Sequence, residues 1–170
     1  LLHSKAEGTE GAEKLTRLAE ELHVRVELAD KALSRISGKE NCFAAVVFGK
    51  FADTLDAAKP HVMLHNPSDC GNVGTILRTA LGFGIEDVAL IRPCVDVFDP
   101  RVVRASMGSL FSLRVHVYDT FEDYRAAYPQ YGLYPFMLDG SSSLPDVLAG
   151  DIAQPYALVF GNEGSGLPAS

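Results

Sequence analysis

The sequence predicts an α/β protein with a parallel sheet and helices on both faces. After Pro60, short apolar segments typical of buried strands alternate with segments whose apolar residues recur with helical spacing. The connections between them are short, and this alternation favours parallel strands covered on both sides. The expected strands are 61–65, 87–91, 114–118, 133–138 and 156–160, and the expected helices are 72–83, 100–110, 120–127 and 144–148.

Local signals support the helix boundaries. Asp99 followed by Pro100 is an N-cap with proline at the first helical position. Ser143 and Asp146 have the spacing of a capping box. Gly84 stands where the helix that begins near Asn72 must end.

The first 48 residues predict a smaller unit. Apolar residues between positions 15 and 22 have helical spacing, and residues 24–28 alternate like a half-buried strand. Asp30 can cap a short helix, and residues 42–48 form an apolar run typical of a strand. Such a unit is too small for a comfortable core of its own, so we expect part of a domain. Residues 49–60 lack periodicity and are predicted to be a linker.

Composition excludes several classes of function. Apolar residues make up 47% and charged residues 22% of the 170 residues, a balance typical of globular proteins. No apolar run approaches the length that spans a bilayer. The net charge of −7 argues against a broad surface that coats nucleic acid. The Lys and Arg residues between 61 and 118 are all arginine, which suits a small local phosphate site.

The cysteines and histidines predict no metal site. Three cysteines without a C-x-x-C pair fit reduced thiols in a cytoplasmic protein. His61 and His65 lie four residues apart, but a zinc site needs more than two protein ligands.

A first candidate motif lies where the strand at 61–65 leads into a helix. Asn72 can cap that helix or bond an incoming group, and Gly74 leaves space for the approach of a ligand or of backbone. Arg78 lies one turn beyond Gly74 and offers a fixed cation. The alternative is purely structural: a capping asparagine, a packing glycine and a surface arginine.

A second candidate motif follows the last strand. Phe160 leads into Gly161-Asn-Glu-Gly-Ser-Gly166, a loop that exposes backbone N–H and C=O groups at the carboxyl end of the sheet. Glu163 supplies one carboxylate within it. An ordinary strand-to-helix turn remains the alternative. Neither a G-x-G-x-x-G fingerprint nor a G-x-x-x-x-G-K-[ST] loop occurs.

Together the two motifs resemble the SpoU/TrmH family of the SPOUT superfamily. Its N-x-G-x-x-x-R motif is matched by Asn72, Gly74 and Arg78, and its F-G-x-E-x-x-G motif by Phe160 to Gly166. The 103–108 segment is similar to the family's intervening helix, so the resemblance covers residues 60–170. Residues 1–48 resemble the end of the ribosomal-protein-like RNA-binding domain that precedes the catalytic domain in many members.

The resemblance implies an enzyme that transfers a methyl group from S-adenosylmethionine to a ribose 2′-hydroxyl of rRNA or tRNA, as a cytoplasmic homodimer without metal. It implies catalytic roles for Arg78 at the hydroxyl, Asn72 orienting RNA or Arg78, and Glu163 anchoring the loop or the RNA. RNA contacts are expected from Arg78, Arg101 and Arg104, because guanidinium groups suit phosphate; for Arg101 and Arg104 the alternative is a solvated surface arginine. The residues expected to bind the cofactor are Phe160, Gly161, Asn162, Glu163, Gly166 and Leu167.

The resemblance also implies that residues 61–170 form the methyltransferase domain of the trefoil-knot type. The third motif, which threads the knot, should follow Pro168, so we expect the polypeptide to continue past Ser170. Two other functions stay open on the sequence: a non-catalytic RNA-binding or assembly protein on this fold, and, more weakly, a nucleotide-dependent oxidoreductase on a doubly wound sheet.

Overall fold

The computed structural model describes residues 1–37, 41–138, 140 and 142–168 and divides the chain into two compact units. The first unit spans Leu1–Gly49 and the second spans Lys50–Ser170. No helix within the described ranges is both long enough and apolar enough to cross a membrane.

The first unit contains helices α1 (Glu10–Glu21) and α2 (Asp30–Ile36). Thr9 caps α1 by accepting a hydrogen bond from the Ala12 N–H. The predicted strands at 24–28 and 42–48 are wrong as regular strands, because each is reduced to a single bridge to Leu2. The segment that pairs with both is only residues 1–3, which is too short to extend either ladder.

The second unit is a five-stranded parallel sheet in the order β3-β2-β1-β5-β4. Its strands are β1 (His61–His65), β2 (Asp87–Ile91), β3 (Arg114–Tyr118), β4 (Gly132–Pro135) and β5 (Tyr156–Phe160). Its helices are α3 (Cys70–Gly82), α4 (Pro100–Ala105), α5 (Phe121–Ala127) and α6 (Leu144–Leu148). This confirms the predicted fold class.

Two apolar clusters show that both faces of the sheet are covered. Val62 and Leu64 of β1 belong to the cluster that includes the buried side chains of α3 and α4. Met63, between them in β1, belongs to the cluster that includes Tyr124 of α5. Successive residues of a strand point to opposite faces, so β1 is buried on both sides and forms the centre of the unit.

Two predicted elements differ from the structure. The helix expected at 100–110 ends at Ala105, because Met107 and Gly108 have φ values of 52° and 90°, and a short 3₁₀ helix (Ser109–Ser112) follows. The strand expected at 133–138 ends at Pro135, although the Phe136 N–H still donates to the Val159 carbonyl. The predicted caps at Asp99 and Ser143 and the left-handed Gly84 are confirmed.

Residues 50–60, predicted to be a linker, form no helix or strand but are fastened to the amino edge of the sheet. The Asp53 N–H donates to the Val115 carbonyl, and the Asp56 N–H donates to the buried Asp87 carboxylate at 2.8 Å. Leu55 is buried in the apolar cluster on one face. Arg114 pairs with Asp87 through two hydrogen bonds of 2.7 and 2.5 Å, so the carboxylate is neutralised where it is buried.

His61, which is fully buried, links α5 to residues 50–60, which we call the strap. Its Nε2 lies 3.0 Å from the Asp56 carbonyl and 2.9 Å from the Tyr131 hydroxyl, and its Nδ1 lies 3.0 Å from the Tyr124 hydroxyl. A carbonyl can only accept, so Nε2 carries the proton and Nδ1 accepts from Tyr124. The Tyr131 hydroxyl in turn donates to the Lys59 carbonyl at 2.7 Å.

The Tyr131 hydroxyl should therefore contribute to stability. We expect Tyr131→Phe to lower the free energy of unfolding by about 1–3 kcal/mol, because carbonyl groups of the strap lose a buried donor. Tyr156→Phe is the matched control, since the Tyr156 hydroxyl has no hydrogen-bond partner among the described residues. Urea denaturation of the three proteins measures the difference. Equal midpoints for the two variants would contradict the assignment.

The buried His61 should also make stability depend on pH. Burial lowers the pKa of His61 below its ordinary 6.5, against the opposing effect of the Asp56 carbonyl. Below about pH 6.5 the His61 ring is therefore protonated in the unfolded chain while it is still neutral in the folded chain. The unfolded state binds more protons there, so the free energy of unfolding falls as pH drops below that value. We expect NMR titration to place the His61 ring below 6.5. A value at or above 6.5 would overturn this description of the cluster.

Candidate functional site

The two sequence motifs meet at the carboxyl edge of the sheet. β1 and β5 are parallel neighbours, with Leu64 of β1 opposite Phe160 of β5. The loop that follows β1, residues 66–69, therefore lies beside the loop that follows β5, residues 161–167. Ligands of open parallel sheets bind outside the carboxyl ends of the strands, which makes this edge the candidate site.

The loop after β5 closes on itself. The Asn162 N–H donates to the Gly166 carbonyl at 3.1 Å, and the Gly166 N–H donates back to the Asn162 carbonyl at 2.9 Å. The Asn162 side-chain oxygen accepts from the N–H groups of Gly164 and Ser165 at 2.9 and 3.0 Å. The shape of this loop is thus set by its own hydrogen bonds.

Gly161 permits this close turn. A Cβ atom at Gly161 would lie 2.2 Å from the Gly166 carbonyl carbon and 2.4 Å from the Leu167 nitrogen. Gly166 has a φ of 70°, in the left-handed region that glycine tolerates. Backbone of the same loop therefore occupies the position where a side chain at Gly161 would lie.

Glu163 fastens the second loop to the first. Its Oε2 accepts from the Ser68 N–H at 3.1 Å and from the Ser68 hydroxyl at 2.8 Å. Its Oε1 accepts from the Asp69 N–H at 3.1 Å. The Asn162 side-chain amide adds a bond of 2.8 Å to the Asn66 carbonyl. We call these contacts of Asn162 and Glu163 with residues 66–69 the loop latch.

The loop latch keeps Glu163 ionised. Burial raises the pKa of Glu163, but hydrogen bonds from its own N–H, from Ser68 and from Asp69 outweigh burial and lower the pKa from 4.5 to about 2. The carboxylate also lies at the N-terminus of α3, where a negative charge is favoured. A group with this pKa is a poor proton acceptor near neutral pH, so the geometry favours anchoring over acid–base chemistry.

The first motif begins α3, but Asn72 is not its cap. Asp69 is the N-cap, and its Oδ1 accepts from the Asn72 N–H at 2.7 Å. The helix therefore starts at Cys70, two residues before the predicted boundary. Both residue types are good caps, so the sequence could not choose between them. The Asn72 side chain is exposed at the mouth of the helix, where it can meet a ligand.

Gly74 serves helix packing. A Cβ atom at Gly74 would lie 2.5 Å from the Ala105 Cβ and 2.6 Å from the Val102 carbonyl oxygen. Of the two possibilities that the sequence left open, ligand or backbone, the structure shows close approach of the α4 backbone.

Arg78 lies apart from the loop latch. It is nine residues beyond Asp69, which corresponds to roughly 13 Å along the helix axis. It is exposed and lines a groove of about 470 Å³ together with Leu81 and the turn after α4 that holds Ser106 and Met107. Its guanidinium has no ion-pair or hydrogen-bond partner among the described residues, so it remains available to an anion.

The other two predicted RNA-contacting arginines differ from each other. Arg101 donates to its neighbour Asp99 through bonds of 3.0 and 2.9 Å, which partly neutralises its charge. The side-chain hydrogen bond from Arg101 lowers the pKa of Asp99 to about 2. Arg104 is exposed in the last turn of α4. Arg104 therefore offers the freer cation of the two.

Sequence reasoning missed an aromatic pair at this edge. The Phe160 ring stacks on the Phe136 ring with centroids 4.6 Å apart and planes 9° from parallel. Phe136 and Met137 are 41% and 40% exposed, so the pair borders an apolar surface at the ends of β4 and β5. Leu167, another predicted cofactor residue, packs against the apolar cluster on one face.

The structure thus brings together the predicted residues of the second motif but leaves Arg78 in a separate groove. The missed residues Asn66, Ser68 and Asp69 form the other half of the loop latch. Their signal in the sequence is a run of polar residues directly after a buried strand. Within the described ranges, no group of three or more His, Cys, Asp or Glu residues is arranged to hold a metal ion.

Residues 59–170 match the model of the SpoU rRNA Methylase family. The chain is 38% identical over 115 residues to the 23S rRNA (uridine(2479)-2′-O)-methyltransferase of Streptomyces viridochromogenes, covering 62% of this chain and 38% of that protein. It is 30% identical over 119 residues to the 23S rRNA (adenosine(1067)-2′-O)-methyltransferase of Streptomyces laurentii, covering 69% and 44%. The chain therefore spans about two-fifths of the length of these relatives.

Solved structures show the same likeness. An AdoMet-bound rRNA methyltransferase from Sinorhizobium meliloti superposes with a TM-score of 0.69 at 26% identity, covering 92% of this chain and 62% of that one. The SpoU methyltransferase AviRb from Streptomyces viridochromogenes superposes with a TM-score of 0.59 at 30% identity, covering 69% and 49%.

The closed loop after β5 makes a test with a matched glycine possible. Gly161→Ala should distort the loop and speed hydrogen exchange at the Asn162 and Gly166 amides, because the new Cβ meets backbone. Gly164→Ala is the control, since its Cβ would meet only the Asn162 side-chain oxygen at 3.6 Å. Hydrogen exchange read out by NMR compares them. Equal exchange in the two variants would contradict the described loop.

Proposed function

The chain belongs to the SpoU rRNA methylase family, and on that premise we propose that it transfers a methyl group from S-adenosylmethionine to a ribose 2′-hydroxyl of RNA. The observation that carries the proposal is the loop latch, which joins the second motif to the loop that leads into the first motif, at the carboxyl edge of the sheet. The relatives named as 2′-O-methyltransferases favour this catalytic function over a non-catalytic RNA-binding protein.

The edge of the sheet offers contacts for the cofactor. We assign the nucleoside to the apolar surface beside Phe136 and Phe160, and the remainder to backbone groups of residues 161–167. Gly161 itself supports the loop more than it touches the cofactor, because backbone of Gly166 occupies the position where a side chain at Gly161 would lie. When bound, S-adenosylmethionine supplies a methyl group made electrophilic by its sulfonium. The protein then has to align the hydroxyl and help it lose its proton.

We assign Arg78 to the reacting hydroxyl. A guanidinium holds its proton too tightly to act as an ordinary base. It can stabilise the developing alkoxide or hold an RNA phosphate that accepts the proton. The exposed side chain of Asn72, at the mouth of the same helix, orients RNA or Arg78.

The distance along α3 between Arg78 and the loop latch favours a homodimer. Within one chain the two lie roughly 13 Å apart along the helix axis, so a second copy that presents its own Arg78 would complete the site. We propose that assembly, together with RNA contacts from Arg104 and Arg101 and a supporting RNA contact from the unit of residues 1–48. For the substrate we propose rRNA, the RNA named for the two Streptomyces relatives. For the location we propose the cytoplasm.

The full chain should be tested first for cofactor binding by calorimetry with S-adenosylmethionine. Binding together with methyl transfer to rRNA supports the proposal, whereas RNA binding without cofactor binding would establish the non-catalytic alternative. Mapping 2′-O-methyl sites on total RNA from cells with and without the protein identifies the nucleotide. A missing methyl group on tRNA instead of rRNA would replace the substrate that we propose.

Arg78 provides the sharpest test of the chemistry. We expect Arg78→Ala to slow methyl transfer by about 10²-fold or more, the usual cost of losing a positioned polar group. Cofactor affinity should change little, since Arg78 lies away from the loop after β5. Arg78→Lys should restore only part of the rate, because an ammonium keeps the charge but loses the planar fork.

Thr79→Ala is the control for Arg78. Thr79 is the next residue of α3 and is exposed, and among the described residues its hydroxyl bonds only to the Thr75 carbonyl, at 2.8 Å. Wild-type turnover in Arg78→Ala would remove Arg78 from the mechanism.

A further inference from the structure

Ser68 occupies an unusual place in the loop latch. Its N–H and its hydroxyl both donate to the same oxygen of Glu163, at 3.1 and 2.8 Å. The Asn162 side-chain amide lies 3.2 Å from the Ser68 hydroxyl and donates to it. The hydroxyl is therefore donor and acceptor at once, and it links the two side chains of the second loop.

The loop that carries Ser68 is also held from its other side. The Asn66 N–H donates to the Ile91 carbonyl at 3.1 Å, and the Val95 N–H donates to the Pro67 carbonyl at 3.0 Å. The β2 side thus holds residues 66 and 67, while the loop after β5 holds residues 66, 68 and 69. Because hydrogen bonds hold the loop from both neighbouring strands' sides, it has one well-defined path from β1 into α3.

That path sets the start of α3. Glu163 accepts from the Asp69 N–H at 3.1 Å, and the Asp69 carboxylate accepts from the Asn72 N–H at 2.7 Å. A continuous chain of hydrogen bonds therefore runs from the loop after β5 to Asn72. Linked hydrogen bonds of this kind reinforce one another and act as a unit.

We infer that Ser68 is a positioning residue for methyl transfer: it acts through Glu163 to hold the loop after β5 and the start of α3 in register. This inference rests on the proposed function. Ser68 does not touch the reacting atoms in this assignment. It fixes the relation between the cofactor loop and the start of the helix that carries Asn72, where a shift of about 1 Å can cost up to 10²-fold in rate.

A double-mutant cycle in the full chain tests this inference. We expect Ser68→Ala to lower kcat by about 10-fold with little change in KM, because alignment is lost while contact surfaces remain. Glu163→Gln should lower kcat by at least as much. Ser68→Thr, which keeps the hydroxyl, should recover a rate within about two-fold of the wild type.

The interaction between the two residues is the decisive readout. If they act as one unit, the double variant Ser68→Ala, Glu163→Gln should be no slower than Glu163→Gln alone, within about two-fold. Thr79→Ala provides the control, since it removes a hydroxyl from α3 that bonds only within the helix. The small effect of Thr79→Ala on kcat should multiply with the effect of Glu163→Gln in the corresponding double variant. Thermal unfolding of each variant separates a loss of alignment from a loss of fold.

Three outcomes decide the inference. A Ser68→Ala variant as active as Thr79→Ala, or losses from Ser68→Ala and Glu163→Gln that simply multiply, would overturn the role of Ser68. A loss of rate that follows the loss of thermal stability in all variants would also overturn it. Failure of the proposed function would look different, because the wild-type protein itself would then transfer no methyl group to RNA.

Discussion

The pairing of β1 with β5 is the constraint on which the site depends. β1 lies at the centre of the sheet, with β2 on one side and β5 on the other. Ser68 and Glu163 are 95 residues apart in the chain, yet this pairing places the loops that carry them side by side. Because the strands are parallel, both loops leave the sheet at the same edge. Without that strand order, the two motifs would be separate loops with no common chemistry.

Polar anchors hold both ends of β1. At the amino end, His61 bonds the strap and α5, and Asp87 takes its counter-charge from Arg114. At the carboxyl end, Glu163 bonds the loop that leads into α3. No buried side-chain nitrogen or oxygen among the described residues lacks a hydrogen-bond partner. Satisfied polar networks of this kind specify one arrangement of a core, which a site built from two distant loops requires.

The sequence predicted the local structure better than the site. The bounds of β1, β2, β3 and β5 were predicted correctly, because apolar strands flanked by turn residues are local signals. The strands at 24–28 and 42–48 were wrong because a strand also needs a long enough partner. Ser68 and Phe136 were missed for a related reason: each matters through a residue of β5 or its loop that only folding brings near. Asn72 was misplaced as a cap because Asp69, equally suited, stands three residues earlier.

The properties of Glu163 and Arg78 bear on where the proton of the ribose 2′-hydroxyl goes in the proposed reaction. Both carboxylate oxygens of Glu163 accept hydrogen bonds within the loop latch, and these bonds outweigh burial and lower the pKa of Glu163 to about 2. It is therefore a poor acceptor for the proton of a ribose hydroxyl near neutral pH. The Arg78 guanidinium has no ion-pair or hydrogen-bond partner within the described part of the chain, and it is not a base. In the proposed reaction, an RNA phosphate held by Arg78 can accept the proton. The protein's own part is then alignment and charge stabilisation, and the rigidity of the loop latch becomes a direct determinant of rate.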